Sequence, residues 1–268
     1  LIPNGFLGVD IFFAISGYVI TLSLSKADEQ SFRYYITEFF KRRVKRLAPA
    51  LLVCIVTTSV LICLFNRETA SLINTGILSL FGLSNIYLHK LSTNYFAEST
   101  RLNPFTQTWS LGIEEQFYLL FPLFAWLLWL RRRRKVTSCK PFAAFLATLS
   151  TVSFAYYLMS PQSDANSAYF LLPYRLWELC LGCLTFILSQ KFLTWTMGRW
   201  SSIALSLGIT GLVVVLFQNN LPLKISTTLA IAFTLSILAT PTTAKAHKIL
   251  RLKPLTQIGL ASYSIYLW

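Results

Sequence analysis

Long apolar segments separated by short polar ones dominate this chain. The apolar windows fall at about 6–24, 47–66, 71–88, 108–130, 141–159, 170–188, 202–217 and 225–240, and a further one opens near Gln257. A membrane-spanning helix needs about 20 predominantly apolar residues, a length that most of these windows reach or approach. The pattern predicts an all-α fold, a polytopic transmembrane helical bundle with eight or nine membrane segments in this chain.

Composition and charge support this assignment. Hydrophobic residues make up 54% of the 268 residues and charged residues only 13%, whereas a soluble domain has roughly a quarter of its residues charged. The net charge of +14 comes largely from clusters between the apolar windows, namely "KRRVKR" (41–46), "RRRRK" (131–135) and "KAHKILRLK" (245–253). Such clusters are typical of cytoplasmic loops. The expected partner is therefore the lipid bilayer, and no nucleic acid partner is predicted.

The distribution of basic residues also bears on topology. If every window crossed the membrane, the clusters at 41–46 and 131–135 would lie on opposite faces. If 71–107 instead enters and leaves on one side, 19 of the 24 Lys and Arg residues share one face. These are the residues of 26–46, 131–140, 191–199 and 245–253. We therefore interpret 71–88 as a re-entrant or hairpin element.

Two adjacent carboxylates stand out in "TQTWSLGIEEQFYLLFPLFAWLLWL" (106–130). Ser110, Glu114 and Tyr118 recur at intervals of four residues and form one polar stripe on a helix, while Glu115 points about 100° away. A charged residue near the bilayer centre costs about 2.5–3.5 kcal/mol on insertion scales. The glutamates are either acid–base or orienting groups in a cavity, or structural residues bonded to a neighbouring helix.

Other polar residues in or beside the apolar windows allow similar alternatives. Arg175 and Glu178 in "PYRLWELCLG" are three residues apart, which suits an internal ion pair or an anion site. Arg42, Arg43 and Arg46 suit phosphate recognition because guanidinium groups bond oxygens in pairs, but they also suit an ordinary positive flank. Asp10 is either a functional buried acid or a capping and packing residue.

Cysteine and histidine provide little further chemistry. Cys180 and Cys183 form a CxxC motif within an apolar window, where a packing role is more plausible than a redox role. The two histidines, His89 and His247, lie beside loops and away from the carboxylates. Accordingly, no Ser–His or Cys–His pair can be proposed from these positions, no metal-ligand spacing is present, and we predict no metal site.

Five motifs in a fixed order carry a family resemblance: "GFLGVDIFFAISGYVIT", "FFKRRVKRLAPALL", "LNPFTQTWSLGIEEQFYLLFP", "LLPYRLWELCLG" and "GLASYSIYLW". The chain resembles the membrane acyltransferase 3 family, of the O-antigen O-acetylase type, over essentially its whole length. The resemblance implies one integral-membrane domain over residues 1–268, with about ten helices when intact. It also implies transfer of an acyl group, usually acetyl, from acyl-CoA to a glycan hydroxyl such as that of O-antigen, exopolysaccharide or peptidoglycan.

The resemblance also implies roles for particular residues. Glu114, Glu115, Arg175 and Glu178 would be catalytic, and Arg42, Arg43 and Arg46 would bind the phosphates of acyl-CoA, a donor substrate rather than a bound cofactor. Along the substrate path would lie Asp10, Trp109, Ser110, Tyr118, Trp177 and Tyr263. The family's key histidine would precede Leu1, and the last helix would continue past Trp268, so we expect a chain truncated at both ends and inactive alone.

The resemblance further implies a multi-pass protein of the bacterial inner membrane that modifies lipopolysaccharide or another polysaccharide. Some similar members carry an extracytoplasmic SGNH-type domain after the membrane part. Intramembrane Glu and Arg also suit a proton-coupled exporter of an anionic or glycan-linked substrate, which is the main alternative. A non-catalytic scaffold is a second alternative, although it would not need charges in three spans. Internal repeats, common in transporters, are not evident here.

Overall fold

The computed structural model describes residues 3–25, 32–66, 69–93, 100–128, 140–161, 164–192, 199–218, 220–240 and 252–268. These residues form eleven α-helices and a short 3-10 helix at Thr100–Leu102, and they contain no strand. In chain order the α-helices are α1 Leu7–Ser25, α2 Phe32–Phe65, α3 Ala70–Leu80, α4 Ser84–Thr93, α5 Thr108–Leu128, α6 Lys140–Met159, α7 Ala165–Phe170, α8 Leu172–Phe192, α9 Arg199–Phe217, α10 Leu223–Ala239 and α11 Lys253–Leu267. The all-α prediction is confirmed.

Five helical segments are long and apolar enough to cross a membrane. They are Leu7–Ser25, Arg33–Phe65, Thr108–Leu128, Lys140–Met159 and Ala165–Gln190, the last of which combines α7 and α8. The spans predicted at 6–24, 108–130 and 141–159 agree with α1, α5 and α6 to within a few residues. The chain is thus a multi-pass helical membrane protein.

The basic cluster at 41–46 does not form a loop beside a span. It lies within α2, which begins at Phe32 and continues through Pro49. Arg and Lys are good helix formers, so a basic segment does not by itself end a helix. The clusters at 131–135 and 245–251, together with His247, lie outside the described residues.

The window at 71–88 is not one continuous helix. It is divided into α3 and α4 by a turn at Phe81–Leu83, where Gly82 has a φ of 66°. Leu83 N donates to Leu78 O at 2.9 Å and Gly82 N to Ser79 O at 3.4 Å, the bonding pattern of a Schellman helix end. Neither helix, of 11 and 10 residues, is long enough to cross a bilayer. The break is compatible with a hairpin element, and its topology stays a prediction.

The chain divides into two compact units. Unit 1 comprises Leu1–Glu29, Phe124–Met159 and Leu176–Thr256. In this unit α1 and α8 approach closely at two glycines, since a Cβ on Gly17 would overlap the backbone of Leu179 and one on Gly182 the backbone of Ala14. Small residues permit such close helix packing in membranes. The packing role expected for Cys183 agrees with its burial here, where its Sγ donates to Gly17 O at 3.2 Å.

Unit 2 comprises Gln30–Leu123, Ser160–Arg175 and Gln257–Trp268. One apolar cluster joins α2 to residues of α3, α5 and α11, and includes Leu47, Leu51, Leu111 and Leu267. Buried polar side chains link the shorter elements. Among these bonds, Ser79 and Thr108 hydroxyls lie 2.7 Å apart and Asn85 Nδ2 donates to Phe170 O at 3.0 Å. Satisfied polar groups of this kind stabilise one arrangement of the irregular segment around α3 and α4.

Candidate functional site

Unit 2 contains a pocket of about 370 Å³ between α2, the α3–α4 turn and α5. Most of its wall is apolar, formed by Phe40, Val44, Leu47, Ala48, Leu51, Leu80, Phe81, Leu83 and Leu119. Its polar side chains are Arg43, Glu115, Gln116 and Tyr118. A mostly apolar cavity with a few convergent polar groups is the usual form of a small-molecule site. The structure therefore brings together three residues selected from the sequence, namely Arg43 of the basic cluster in α2, and Glu115 and Tyr118 of α5.

A hydrogen-bonded series connects the basic cluster to the carboxylates. Arg43 Nη1 donates to the Tyr118 hydroxyl at 2.9 Å, and the Arg43 Cζ atom lies 3.9 Å from the centroid of the Tyr118 ring. The Tyr118 hydroxyl in turn donates to the Glu114 carboxylate, which is only 3% exposed. The polar stripe predicted from the spacing is thus confirmed for Glu114 and Tyr118.

Glu115 occupies a different position from Glu114. It is partly exposed, it lines the pocket, and its side chain lies against Gly82 of the α3–α4 turn. The neighbouring Gln116 holds that turn in place, because its Nε2 donates to Gly82 O at 3.0 Å and to Asn85 Oδ1 at 2.8 Å. Of the two glutamates, Glu115 is therefore the one placed to meet a ligand in the pocket.

Gly82 permits this close approach, and we predict that Gly82→Ala disturbs it. A Cβ at this position would lie 2.5 Å from Glu115 Oε2 and 2.9 Å from Glu115 Cβ. The φ of 66° adds a backbone cost of about 1–2 kcal/mol for a residue with a side chain. We expect Gly82→Ala to lower the thermal midpoint of the purified protein and to displace Glu115.

The matched control for this substitution is Gly259→Ala. A Cβ there would meet nothing within 4 Å, and Gly259 lies within helix α11. Equal thermal midpoints for the two variants would contradict the contact between Gly82 and Glu115.

The three arginines of the basic cluster do not share one environment. Arg43 is partly buried against Tyr118, whereas Arg42 and Arg46 are exposed. Arg42 Nη1 lies 3.9 Å from Glu38 of the preceding turn. Arg42 and Arg43 are adjacent on the helix and therefore point about 100° from each other, which accounts for their different surroundings. That the three arginines bind the donor phosphates stays a prediction.

Other residues selected from the sequence lie elsewhere in the described structure. The Ser110 hydroxyl lies 2.6 Å from that of Tyr266, and the Tyr263 hydroxyl donates to Leu47 O at 3.2 Å. The Trp109 and Tyr169 rings are 4.3 Å apart, and Arg175 Cζ lies 5.8 and 5.6 Å from their centroids. These residues all belong to unit 2. Asp10, Trp177 and Glu178 belong to unit 1, and all three are buried.

Several contacts could not be found from the sequence. No Ser–His pair could be proposed from the sequence, yet His89 Nε2 lies 2.8 Å from the Ser167 hydroxyl. The two residues are 78 positions apart, so no local spacing could indicate the contact. Asn166 Nδ2 donates to Ser92 O nearby at 3.2 Å, so the pair helps to join α7 to α4. Among the described residues, no three His, Cys, Asp or Glu side chains are grouped to hold a metal ion.

Comparison with known proteins gives the same family as the motifs. Residues 2–268 match the family model described as an acyltransferase domain, Acyl_transf_3. The O-acetyltransferase OatA of Staphylococcus aureus is 34% identical over 285 aligned residues, which cover 100% of this chain and 46% of the relative. The peptidoglycan O-acetyltransferase OatA of Listeria monocytogenes and the putative peptidoglycan O-acetyltransferase YrhL of Bacillus subtilis are each 32% identical, covering 99% of this chain and 44% of the relative.

No solved structure matches this chain. The chain spans less than half the length of the curated relatives that it matches. The match to the family model nevertheless extends over nearly every residue and includes the pocket as well as Glu114 and Glu115. The chain belongs to the acyltransferase 3 family of membrane proteins.

Proposed function

We propose that this chain is the membrane part of an O-acetyltransferase that moves an acetyl group from acetyl-CoA to a hydroxyl of peptidoglycan. The observation that carries the proposal is the pocket of unit 2, in which Glu115 faces an otherwise largely apolar cavity beside Arg43 and Tyr118. The names of the relatives support the reaction class and favour peptidoglycan as the acceptor over O-antigen. We place the enzyme in the cytoplasmic membrane, with the donor entering from the cytoplasmic side.

The proposed reaction requires one bond to break, one to form and one proton to be removed. The bond between the acyl carbon and the sulfur of coenzyme A breaks, a bond between that carbon and the acceptor oxygen forms, and the hydroxyl proton must be removed. Glu115 would accept this proton, directly or through the upstream histidine that the family resemblance implies, and the departing thiolate would take up a proton. Apolar walls would favour transfer over hydrolysis because they limit the access of water.

Donor recognition would involve the exposed arginines. Arg42 and Arg46 lie on the same helix as Arg43, and their guanidinium groups are accessible to an anion. Guanidinium groups suit the phosphates of coenzyme A because they can form paired hydrogen bonds. We propose that these two residues hold the nucleotide end of the donor near the pocket.

A reconstitution experiment tests the proposed function. The intact protein would be purified, incubated with acetyl-CoA labelled in the acetyl group, and supplied with soluble peptidoglycan fragments. We expect label in alkali-labile esters on the fragments and release of free coenzyme A in equal amount. Mass spectrometry of cell-wall sugars from a deletion strain should show loss of the mass of one acetyl substitution. Unlabelled fragments together with an unchanged cell wall would overturn the proposal.

A further inference from the structure

Arg43 differs from its neighbours in the side chain that it contacts. Its guanidinium group bonds the Tyr118 hydroxyl at 2.9 Å and also covers the Tyr118 ring, with Cζ 3.9 Å from the ring centroid. The Phe39 ring lies on the same group, with its centroid 5.8 Å from Cζ. Two aromatic side chains and a phenolic oxygen therefore determine where this cation lies. Arg42 and Arg46, in contrast, are exposed.

Through Tyr118, Arg43 also fixes the position of the Glu114 carboxylate. The Tyr118 hydroxyl accepts from Arg43 and donates its own hydrogen to Glu114, so one oxygen atom joins the cation to the anion. Glu114 and Tyr118 lie one turn apart on α5, and Glu115 is the residue next to Glu114. Both Arg43 and Tyr118 also line the pocket that Glu115 faces.

We propose that Arg43 is a positioning residue that holds Tyr118 and Glu114 in place beside the reacting carboxylate, and that only Arg42 and Arg46 bind the phosphates of the donor. This inference rests on the proposed function of the pocket. It separates three arginines that are equivalent in sequence into two roles. The physical basis is that one nitrogen of the Arg43 guanidinium group is already bonded to the phenol oxygen and its face lies against two rings, whereas Arg42 and Arg46 present exposed donors to a phosphate.

Steady-state kinetics of the intact protein distinguish the two roles. In Arg43→Lys the charge remains, but the planar group that can bond the hydroxyl and cover the ring is lost. We expect kcat to fall about 100-fold, the scale of a misplaced catalytic group, while KM for acetyl-CoA changes by less than about threefold. The double variant Arg42→Lys with Arg46→Lys should show the reverse, with KM raised about tenfold and kcat nearly unchanged.

Tyr118→Phe tests the link independently of any effect of Arg43 on folding. It keeps the ring that Arg43 covers and removes only the hydroxyl that joins Arg43 to Glu114. We expect a loss in kcat similar to that of Arg43→Lys. Combining the two substitutions should add little further loss, because both break the same link. If Arg43→Lys fails to accumulate in membranes, the kcat of Tyr118→Phe alone decides.

The outcomes distinguish a failure of the positioning role from a failure of the proposed function. A raised KM with normal kcat in Arg43→Lys would assign Arg43 to the phosphates and overturn its positioning role. A wild-type kcat in Tyr118→Phe would overturn the link through the hydroxyl, as would losses that multiply in the double variant. A wild-type protein without acetyl transfer would instead overturn the proposed function itself, which this positioning role requires.

Discussion

Exchanging Glu115 for Gln should remove most of the acetyl-transfer activity of the intact protein while its amount in the membrane stays normal. Gln has nearly the size of Glu and still forms hydrogen bonds, but it cannot accept the proton of the acceptor hydroxyl. Positioned general acids and bases contribute about 10²–10⁴-fold to a rate, and we expect a loss of kcat in this range. The partly exposed position of Glu115 in the pocket wall is the basis of this expectation.

Glu114→Gln provides the internal comparison. Glu114 is buried and accepts a hydrogen bond from Tyr118, and the amide oxygen of Gln can still accept that bond. We therefore expect a smaller loss of activity than in Glu115→Gln. Asp164→Asn serves as a control for removing a carboxylate elsewhere in unit 2, where Asp164 accepts from the Tyr174 hydroxyl at 3.4 Å. If both glutamate variants retained activity within about twofold of wild type, the pair would be packing residues rather than catalytic ones.

The second large effect concerns stability, and we expect Gly17→Ala to weaken unit 1 severely. An added Cβ would overlap the carbonyl group of Leu179, with the carbonyl carbon 2.8 Å away. The obstructing atoms belong to the backbone of α8, so a change of side-chain rotamer cannot relieve the clash and the helices must separate. Overpacking typically costs about 1–3 kcal/mol and occasionally more, and a backbone clash lies at the upper end. Gly182→Ala should act in the same way, against the backbone of Ala14.

Gly8→Ala is the matched control because it lies on the same helix. A Cβ at Gly8 would meet nothing within 4 Å. Ala is also favoured over Gly in a helix by about 1 kcal/mol, so this variant should be as stable as wild type or slightly more so. The thermal midpoints of both variants would be measured in detergent, with the fraction of protein that stays monodisperse as the readout. Equal midpoints for Gly17→Ala and Gly8→Ala would show that α1 and α8 are not in close contact at Gly17.

Local sequence was sufficient for the features that depend on length and spacing. The long apolar windows predicted α1, α5 and α6 closely, because about 20 apolar residues have few stable alternatives to a membrane helix. The interval of four residues between Glu114 and Tyr118 predicted their contact, because such residues are neighbours on any α-helix. The motifs also indicated the family, which the match over residues 2–268 confirms.

Residue spacing was not sufficient where the local sequence allowed two arrangements, either of side-chain partners or of a helix. Ser110 belongs to the same stripe by spacing, but its hydroxyl lies beside Tyr266 of α11 instead. The window at 71–88 has the length of a span, yet it is broken at Gly82, where the helix end depends on the packing of α5 against the turn. The pairing of His89 with Ser167 likewise depends on how α4 and α7 meet.

The sequence by itself determined the fold class, most of the membrane helices, the family and the presence of two glutamates in an apolar helix. These follow from hydropathy, helical periodicity and motif order, which are properties of short segments. Only the tertiary structure decided that Glu115 lines the pocket while Glu114 bonds Tyr118, and that Arg43 alone of the three arginines turns inward. The reason is that which side of α2 faces α5 depends on the packing of distant segments, and a short stretch with basic residues on more than one side of the helix leaves that choice open.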